Sequence, residues 1–254
     1  MSTKCRFTKL TLIRGDSFLL SKLIDILVTT IASNQYSAHV ANKSPLLGVL
    51  DVQKLIDGVA KFKSEVVPAN QALFDKLATG QSPDVLFITC ADSRIDPAMI
   101  TQTMPGDLFV CRNAGNVVPP HSQNIEGTTA SIEFATAVLG VKHIVICGHT
   151  DCGAIKGAMA PQNLDAIPRV QDWVDNVRAA VKAAEAAQGE GQVDLLTATE
   201  RNVVLQMTHL NSHPAVAARL AAGDIDVHGW VYHIGEGDVT AYDGESDSFK
   251  SIVQ

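Results

Sequence analysis

The chain has 254 residues, 46% of them hydrophobic and 19% charged, enough to bury a sizeable core in one or two domains. Twenty basic against 27 acidic side chains leave a formal charge of -7, the wrong sign for a protein held to nucleic acid or an anionic membrane by bulk charge. Aromatic residues at 5% in an Ala-rich, Gly-punctuated sequence fit an α/β protein and argue against an all-β sandwich or a disordered chain.

Residues 1–47 form a basic head on an acidic body, with Lys4, Arg6, Lys9, Arg14, Lys22 and Lys43 against Asp16 and Asp25. Leu20, Leu23, Ile24, Leu27 and Ile31 share one side of a helical wheel and Ser21, Lys22, Asp25 and Thr29 the other, the pattern of an amphipathic helical arm. Three readings stand: a helix docking on a partner subunit, an organelle-targeting segment, or residues upstream of the true start. Residues 48–254 read as a single domain. Within it, Asp51 to Val66 and Ala69 to Leu77 have helical spacing, interrupted by Pro68 and ended by Gly80. Val85 to Cys90 is a short apolar run that reads as a buried strand, and Asp107 to Cys111 is a second. Gly127 to Leu139 reads as a helix and Lys142 to Cys147 as a third buried strand. Strand, helix and strand in succession imply a parallel sheet. Pro168 to Ala187 and Leu195 to Leu210 read as helices, and a short helix follows Pro214. Asp226 to Ile234 and Val239 to Tyr242 alternate as strands about the turn Gly235-Glu-Gly237-Asp, a hairpin signal. The fold class expected is therefore α/β, a mostly parallel central sheet flanked by helices.

The five cysteines, Cys5, Cys90, Cys111, Cys147 and Cys152, are an odd number, and no secretory signal pattern lines up, so a reducing, cytoplasmic compartment is expected. The most hydrophobic segment, Phe18 to Ile31, contains Lys22 and Asp25, so no membrane span is expected.

Chemistry concentrates at the ends of two predicted parallel strands: Cys90 with Asp92 and Arg94, and His149 with Cys152 three residues on. Ligands of open α/β sheets bind beyond the carboxyl ends of the strands, so both groups face one crevice. Two thiolates and an imidazole suit zinc, and three protein ligands leave the fourth tetrahedral position open for catalysis. Cys147, two residues before His149 on the same strand face, is the one residue that could close the site into a structural Cys3His centre. Against that stand its place at the end of an apolar strand and the lack of work for Asp92 and Arg94 at a closed site. A redox pair fits less well, since no C-x-x-C occurs. A zinc alcohol dehydrogenase would need G-x-G-x-x-G after a strand, and a zinc deaminase H-x-E before C-x-x-C; neither is present.

At these residues the sequence resembles the beta-class carbonic anhydrases, in their plant-like and cyanobacterial-like branch. The matching runs are Gln81-Ser-Pro, Cys90-Ala-Asp92-Ser-Arg94, Pro105-Gly-Asp-Leu-Phe109, Arg112-Asn-Ala-Gly-Asn116-Val-Val-Pro-Pro120 and Ile132-Glu133-Phe134. They continue with Ile146-Cys-Gly-His149-Thr-Asp-Cys152-Gly153 and His228-Gly-Trp-Val-Tyr232, so that the resemblance spans Val49 to Asp243. It implies one zinc ion per subunit held by Cys90, His149 and Cys152, and reversible hydration of CO2 to bicarbonate by attack of zinc-bound hydroxide. It implies an Asp92–Arg94 dyad in which the arginine keeps the carboxylate off the metal while Asp92 accepts a hydrogen bond from the hydroxide; released, Asp92 could become the fourth ligand. It gives Gln81, Phe109, Phe134 and Gly153 as the substrate pocket, Phe109 coming from the neighbouring subunit of a homodimer or multiple of dimers. The sequence departs from the family at Phe134, where plant enzymes have Tyr, and at Ala114, where a larger aliphatic residue stands. Phe87 occupies the place of a Trp found in the branch shut off by bicarbonate, and reads as strand core. Two thiolates neutralise a dication where three imidazoles would not, so activity is expected to rise on the alkaline side of neutral.

Carbon disulfide or carbonyl sulfide hydrolysis on the same scaffold, and a non-catalytic closed zinc site, are the alternatives. His143, His228 and His233 read as surface or satisfied core groups. His121, beside Pro120, is a candidate proton relay, and Glu133 either orients an active-site group or lies on a solvated helix face. Cys111 reads as a buried strand cysteine and Cys5 as an exposed thiol.

Overall fold

The computed structural model describes residues 51–121, 126–188 and 193–253. The amphipathic arm and Cys5 fall outside them. The chain divides into two compact units at Asn70/Gln71.

In the first unit, Asp51 caps helix α1 (Val52–Lys61) by accepting a hydrogen bond from the Gln53 amide. The helix is one-sided: Val52, Leu55, Ile56 and Val59 recur at the spacing of one face. All four are more than half exposed. The chain passes through a π-helical turn, Phe62–Val66, into a last short turn, Val67–Ala69. Pro68 does not interrupt the helical path as the sequence suggests. It stands in the first turn after the π-helical segment, where a missing amide is tolerated. The break comes at Asn70, whose φ of -125° and ψ of 29° leave the helix and whose side chain donates to the Val66 carbonyl.

The second unit is built on a six-stranded sheet. Its strands are β1 (Val85–Cys90), β2 (Leu108–Asn113), β3 (His143–His149), β4 (Asp226–His233), β5 (Asp238–Asp243) and β6 (Ser248–Ser251), in the order β2-β1-β3-β4-β5-β6. The first four strands in that order pair parallel, while β5 pairs antiparallel with both β4 and β6, so the mostly parallel α/β reading holds. Strand β3 extends two residues past the expected end, because pairing with β4 continues through His149 and Tyr232. Helices α2 (Gln71–Leu77), α3 (Pro97–Thr101), α4 (Gly127–Glu133, continued by a π-helical turn to Leu139), α5 (Gly153–Met159), α6 (Pro168–Gln188), α7 (Leu195–Leu210) and α8 (Pro214–Ala222) complete it.

Alternation along the central strands separates two cores. Phe87, Val145 and Cys147 pack with Ile155 of α5 and Val174, Val177 and Val181 of α6. Leu86, Ile88, Ile144 and Ile146 pack with Ile132 of α4, Val203 and Leu210 of α7 and Val216 of α8. Burial of apolar surface on both faces, at roughly 25 cal/mol per Å2, is what holds a parallel sheet whose strands read as continuous hydrophobic runs. Phe87 is fully buried and meets Trp230 edge to face at 6.0 Å between centroids, in line with its reading as core.

Candidate metal centre

Cys90 ends β1 and His149 ends the adjacent parallel strand β3, so both leave the sheet at the same edge. Cys152 follows one tight turn later as the residue preceding α5. The turn is made by Asp151, which adopts a left-handed backbone at φ 62°. The two sulfurs and an imidazole nitrogen of His149 lie within 4.8 Å of one another, and all three residues are buried. The Sγ–Sγ separation is 3.9 Å. Two thiolates bonded to one tetrahedral zinc at about 2.3 Å stand about 3.8 Å apart, so the sulfurs are already at ligand spacing.

The histidine is oriented for the same purpose. His149 Nδ1 lies 2.9 Å from the Thr150 carbonyl oxygen, a contact that requires the proton on Nδ1 and leaves the Nε2 lone pair free. Nε2 is buried and has no hydrogen-bond partner. A buried nitrogen so left costs on the order of 1–3 kcal/mol unless something fills its lone pair. The Gly115 amide donates to Cys90 Sγ at 3.3 Å, an approach only glycine allows: its φ is 82°, and a Cβ there would stand 2.9 Å from that of Ala154.

The thiol protons follow from this crowding. Hydrogen bonding from Cys152 pulls Cys90 far below the ordinary thiol range, against burial, and the same contact pushes Cys152 up. A dication held by the two sulfurs would replace both protons. For His149, burial works against the charged form, but the neighbouring Cys90 thiolate outweighs it and raises the pKa.

Asp92 and Arg94 stand beside the cluster as a two-pronged pair. Arg94 Nε donates to Asp92 Oδ1 at 2.9 Å and Nη2 to Oδ2 at 2.7 Å. The Arg94 amide adds a third bond to Oδ1. The arginine side-chain bonds hold the Asp92 carboxyl far below the usual range, so it is ionised at any physiological pH. Its Oδ2 lies 3.8 Å from His149 Nε2, within reach of whatever that nitrogen holds.

Two residues quoted in the sequence runs without a role prove to build this arrangement. Asp151 accepts from Arg94 Nη1 through Oδ2 at 2.8 Å and from Nη2 through its carbonyl at 3.1 Å, and pairs its other oxygen with Lys156. Arg112 donates from Nε to the Cys90 carbonyl at 3.0 Å and from Nη2 to those of Asp92 and Ile95 at 2.7 and 2.9 Å. Arg112 thereby fixes the loop that carries the dyad.

Cys147 stays out of the cluster. It is wholly buried in the core of the first sheet face, and burial raises its thiol to about 12, so it remains protonated. The closed Cys3His alternative is set aside on that placement. Cys111 is buried as expected, with its pKa raised by burial.

Of the expected pocket residues, only Gly153 is local to the cluster, at the first position of α5. Gln81 is exposed in the loop before β1, at the far end of a six-residue strand from Cys90, roughly 16 Å away or more by strand rise. Phe109 and Phe134 meet each other at 5.9 Å between centroids. Phe109 pairs in register with Leu86 near the start of β1, again remote from Cys90. His121 packs edge to face on His213 at 5.6 Å and lines a cavity of about 70 Å3 with Glu133.

Fold and site together define an α/β protein with a candidate Cys2His metal centre. A family model described as carbonic anhydrase matches residues 85–239. The carbonic anhydrase of Pseudomonas aeruginosa is 43% identical over 204 residues, covering 80% of this chain and 93% of that one. Among solved structures, the beta-carbonic anhydrase CcaA superposes with a TM-score of 0.76 at 39% identity, over 79% of this chain and 98% of that one. One of two tetrameric beta-carbonic anhydrases from Sordaria macrospora superposes with a TM-score of 0.66 at 29% identity, over 80% and 97%. The chain belongs to the beta class of the carbonic anhydrases, enzymes that interconvert carbon dioxide and bicarbonate.

Proposed function

We propose that the chain hydrates CO2 reversibly at a single zinc ion per subunit, held by Cys90 Sγ, Cys152 Sγ and His149 Nε2. The observation that carries this reading is the buried, unpartnered His149 Nε2 facing two sulfurs at ligand spacing. A zinc ion with three protein ligands supplies an open coordination position and lowers the pKa of water there from 15.7 towards about 7, enough to make it a nucleophile for CO2 at neutral pH.

The residues of the chain do the rest. Asp92 Oδ2, ionised and locked by Arg94, accepts a hydrogen bond from the attacking oxygen and so orients its lone pair, without taking up the proton. Arg94 keeps the carboxylate from turning into the cluster, and Asp151 keeps Arg94 in place. Gln81, Phe109 and Phe134 lie too far from the cluster of their own chain to line it, which fits a pocket whose wall a second copy supplies. The β2 edge strand supports this, since Val110, Phe134 and Val138 are exposed there and in the adjacent helical turn. The uncovered apolar stripe of α1 is a second face suited to a copy of the chain. A homodimer or a multiple of dimers follows. His121 is the proposed relay to solvent. The four cysteines among the described residues are all free, which fits a reducing, cytoplasmic setting, and no helix among those residues is long and apolar enough to cross a membrane.

The test is stopped-flow CO2 hydration against metal content, on purified protein and its Cys90→Ser variant. Turnover proportional to bound zinc, rising with pH on the alkaline side, and lost with the metal in Cys90→Ser is the expected result. Full zinc with no turnover at any pH overturns it.

A further inference from the structure

We propose that His143, Asp226 and His228 form a second divalent-metal site, at the opposite end of the sheet from the Cys90, His149 and Cys152 cluster. The sheet itself assembles it. His143 and Asp226 begin neighbouring parallel strands and are register partners. The two-residue period of a strand puts His228 on the same face of β4 as Asp226. His143 and His228, which the sequence leaves as separate surface or satisfied core groups, therefore converge with Asp226. His143 is six residues from His149 along β3, about 20 Å by strand rise, so the two sites are distinct.

The distances are those of a ligand set. His143 Nδ1 lies 3.3 Å from His228 Nε2 and 3.5 Å from Asp226 Oδ2, and the ligand atoms of all three residues fall within 4.8 Å of one another. A tetrahedral ion with bonds of about 2.1 Å to nitrogen and oxygen spaces its ligands about 3.4 Å apart. Both contacts are long for hydrogen bonds, whose usual length is about 2.9 Å. The imidazoles are tilted by 47° with centroids 5.4 Å apart, so nitrogens meet and ring faces do not stack.

The chemistry of the donors selects the ion. Two imidazoles and one carboxylate favour zinc, nickel or copper over calcium or magnesium, which take oxygen ligands. The Asp226 side chain is 72% exposed and that of His143 44%, so an ion reaches the site from solvent and keeps water in its remaining position. Bound there, it ties the first residues of β3 and β4 together.

Metal content after equilibrium dialysis of the tag-free protein against zinc tests the site. The wild type is expected to hold one more equivalent per chain than His143→Gln and His228→Gln. Because the readout is this difference, it stands whether or not the Cys90 site is filled, and failure of one reading is separable from failure of the other. Addition of cobalt to protein stripped of weakly held metal, with one equivalent of zinc retained per chain, gives a second measure. The extra ion should show visible d–d bands without sulfur-to-metal charge transfer, absent in both variants. Equal metal content in wild type and variants, or an extra equivalent that survives both substitutions, overturns the proposal.

Discussion

Asp92 and His149 Nε2 lie 3.8 Å apart, and everything about the proposed chemistry depends on that separation being held. The hold is indirect: Arg94 grips both carboxylate oxygens, and Asp151 grips Arg94 from the far side of the crevice. Asp151→Asn probes the second link, because Asn adopts a left-handed backbone as readily as Asp while removing the charge that pairs with Arg94 and with the exposed Lys156. We expect kcat/KM for CO2 to fall by about tenfold in Asp151→Asn, and by on the order of 100-fold or more in Asp92→Asn, which replaces the ionised hydrogen-bond acceptor itself. Zinc content should be unchanged in both, and stopped-flow assays normalised to bound metal decide the matter. Wild-type turnover in Asp151→Asn would show that Arg94 needs no anchor. That Cys90, His149 and Cys152 come together was legible in the sequence because they sit in short runs at strand ends that face one crevice, whereas the pairing of Asp92 with Arg94 was implied by the family resemblance. The roles of Asp151 and Arg112 were not legible: they depend on which carbonyls the chain exposes after β1, and on a turn conformation that no residue type announces.

Elements carry a second layer of constraint. Helix α7 lies close to β3 and β4 where Gly148 and Gly229 face it; a Cβ at either would come within 2.9 Å of Val203, and at Gly229 within 2.4 Å of the Met207 sulfur as well. We expect Gly148→Ala and Gly229→Ala each to lower unfolding free energy by about 1–3 kcal/mol, the usual cost of overpacking. Their double variant should lose less than the sum, since both displace the same valine. Denaturant midpoints check this, and strict additivity would show that the two contacts relax independently. Helix α8 begins at a buried histidine: His213 is 3% exposed, with Nε2 3.0 Å from the Pro119 carbonyl oxygen and His121 and His209 nearby. Burial lowers its pKa below the ordinary 6.5, so the unfolded chain takes up a proton before the folded one does. Its contribution to stability is therefore complete above about pH 6.5 and declines as the pH falls from there towards the folded pKa, by at most about 1.4 kcal/mol per unit. His213→Gln should be less sensitive to acidification between about pH 7 and 5.5, as followed by urea unfolding. Equal pH slopes would rule His213 out as the titrating group. The long periodic elements could be read in advance: Leu195 to Leu210 and Val85 to Cys90 have the bounds their patterns suggest. Helices α3 and α5 and strand β6 were missed, because they are short and only α3 carries a capping side chain, Asp96.

At the scale of the whole molecule, the Cys90, His149 and Cys152 cluster stands at one end of β1 and β3, and the aromatic pair Phe109 and Phe134 towards the other. On the proposed reading a single copy does not close a pocket from these parts, and two copies related by a twofold axis would each lend an aromatic wall to the other's cluster. This arrangement makes a prediction that a site contained in one chain does not. Phe109→Ala damages the wall and leaves the cluster intact, while Asp92→Asn does the reverse, so each alone should be poorly active with zinc bound. In a mixed dimer, the cluster of the first variant faces the wall of the second, and that site is wild type throughout. Random reassortment puts half the subunits in mixed dimers with one restored site of two, so co-expressed or co-refolded variants should recover about a quarter of wild-type activity. Activity that stays at the average of the two separate variants, with mixed dimers confirmed by mass spectrometry, would mean that each chain completes its own pocket. In that case Phe109 would have to reach Cys90 by a rearrangement of β2, and its register with β1 would be the next thing to test.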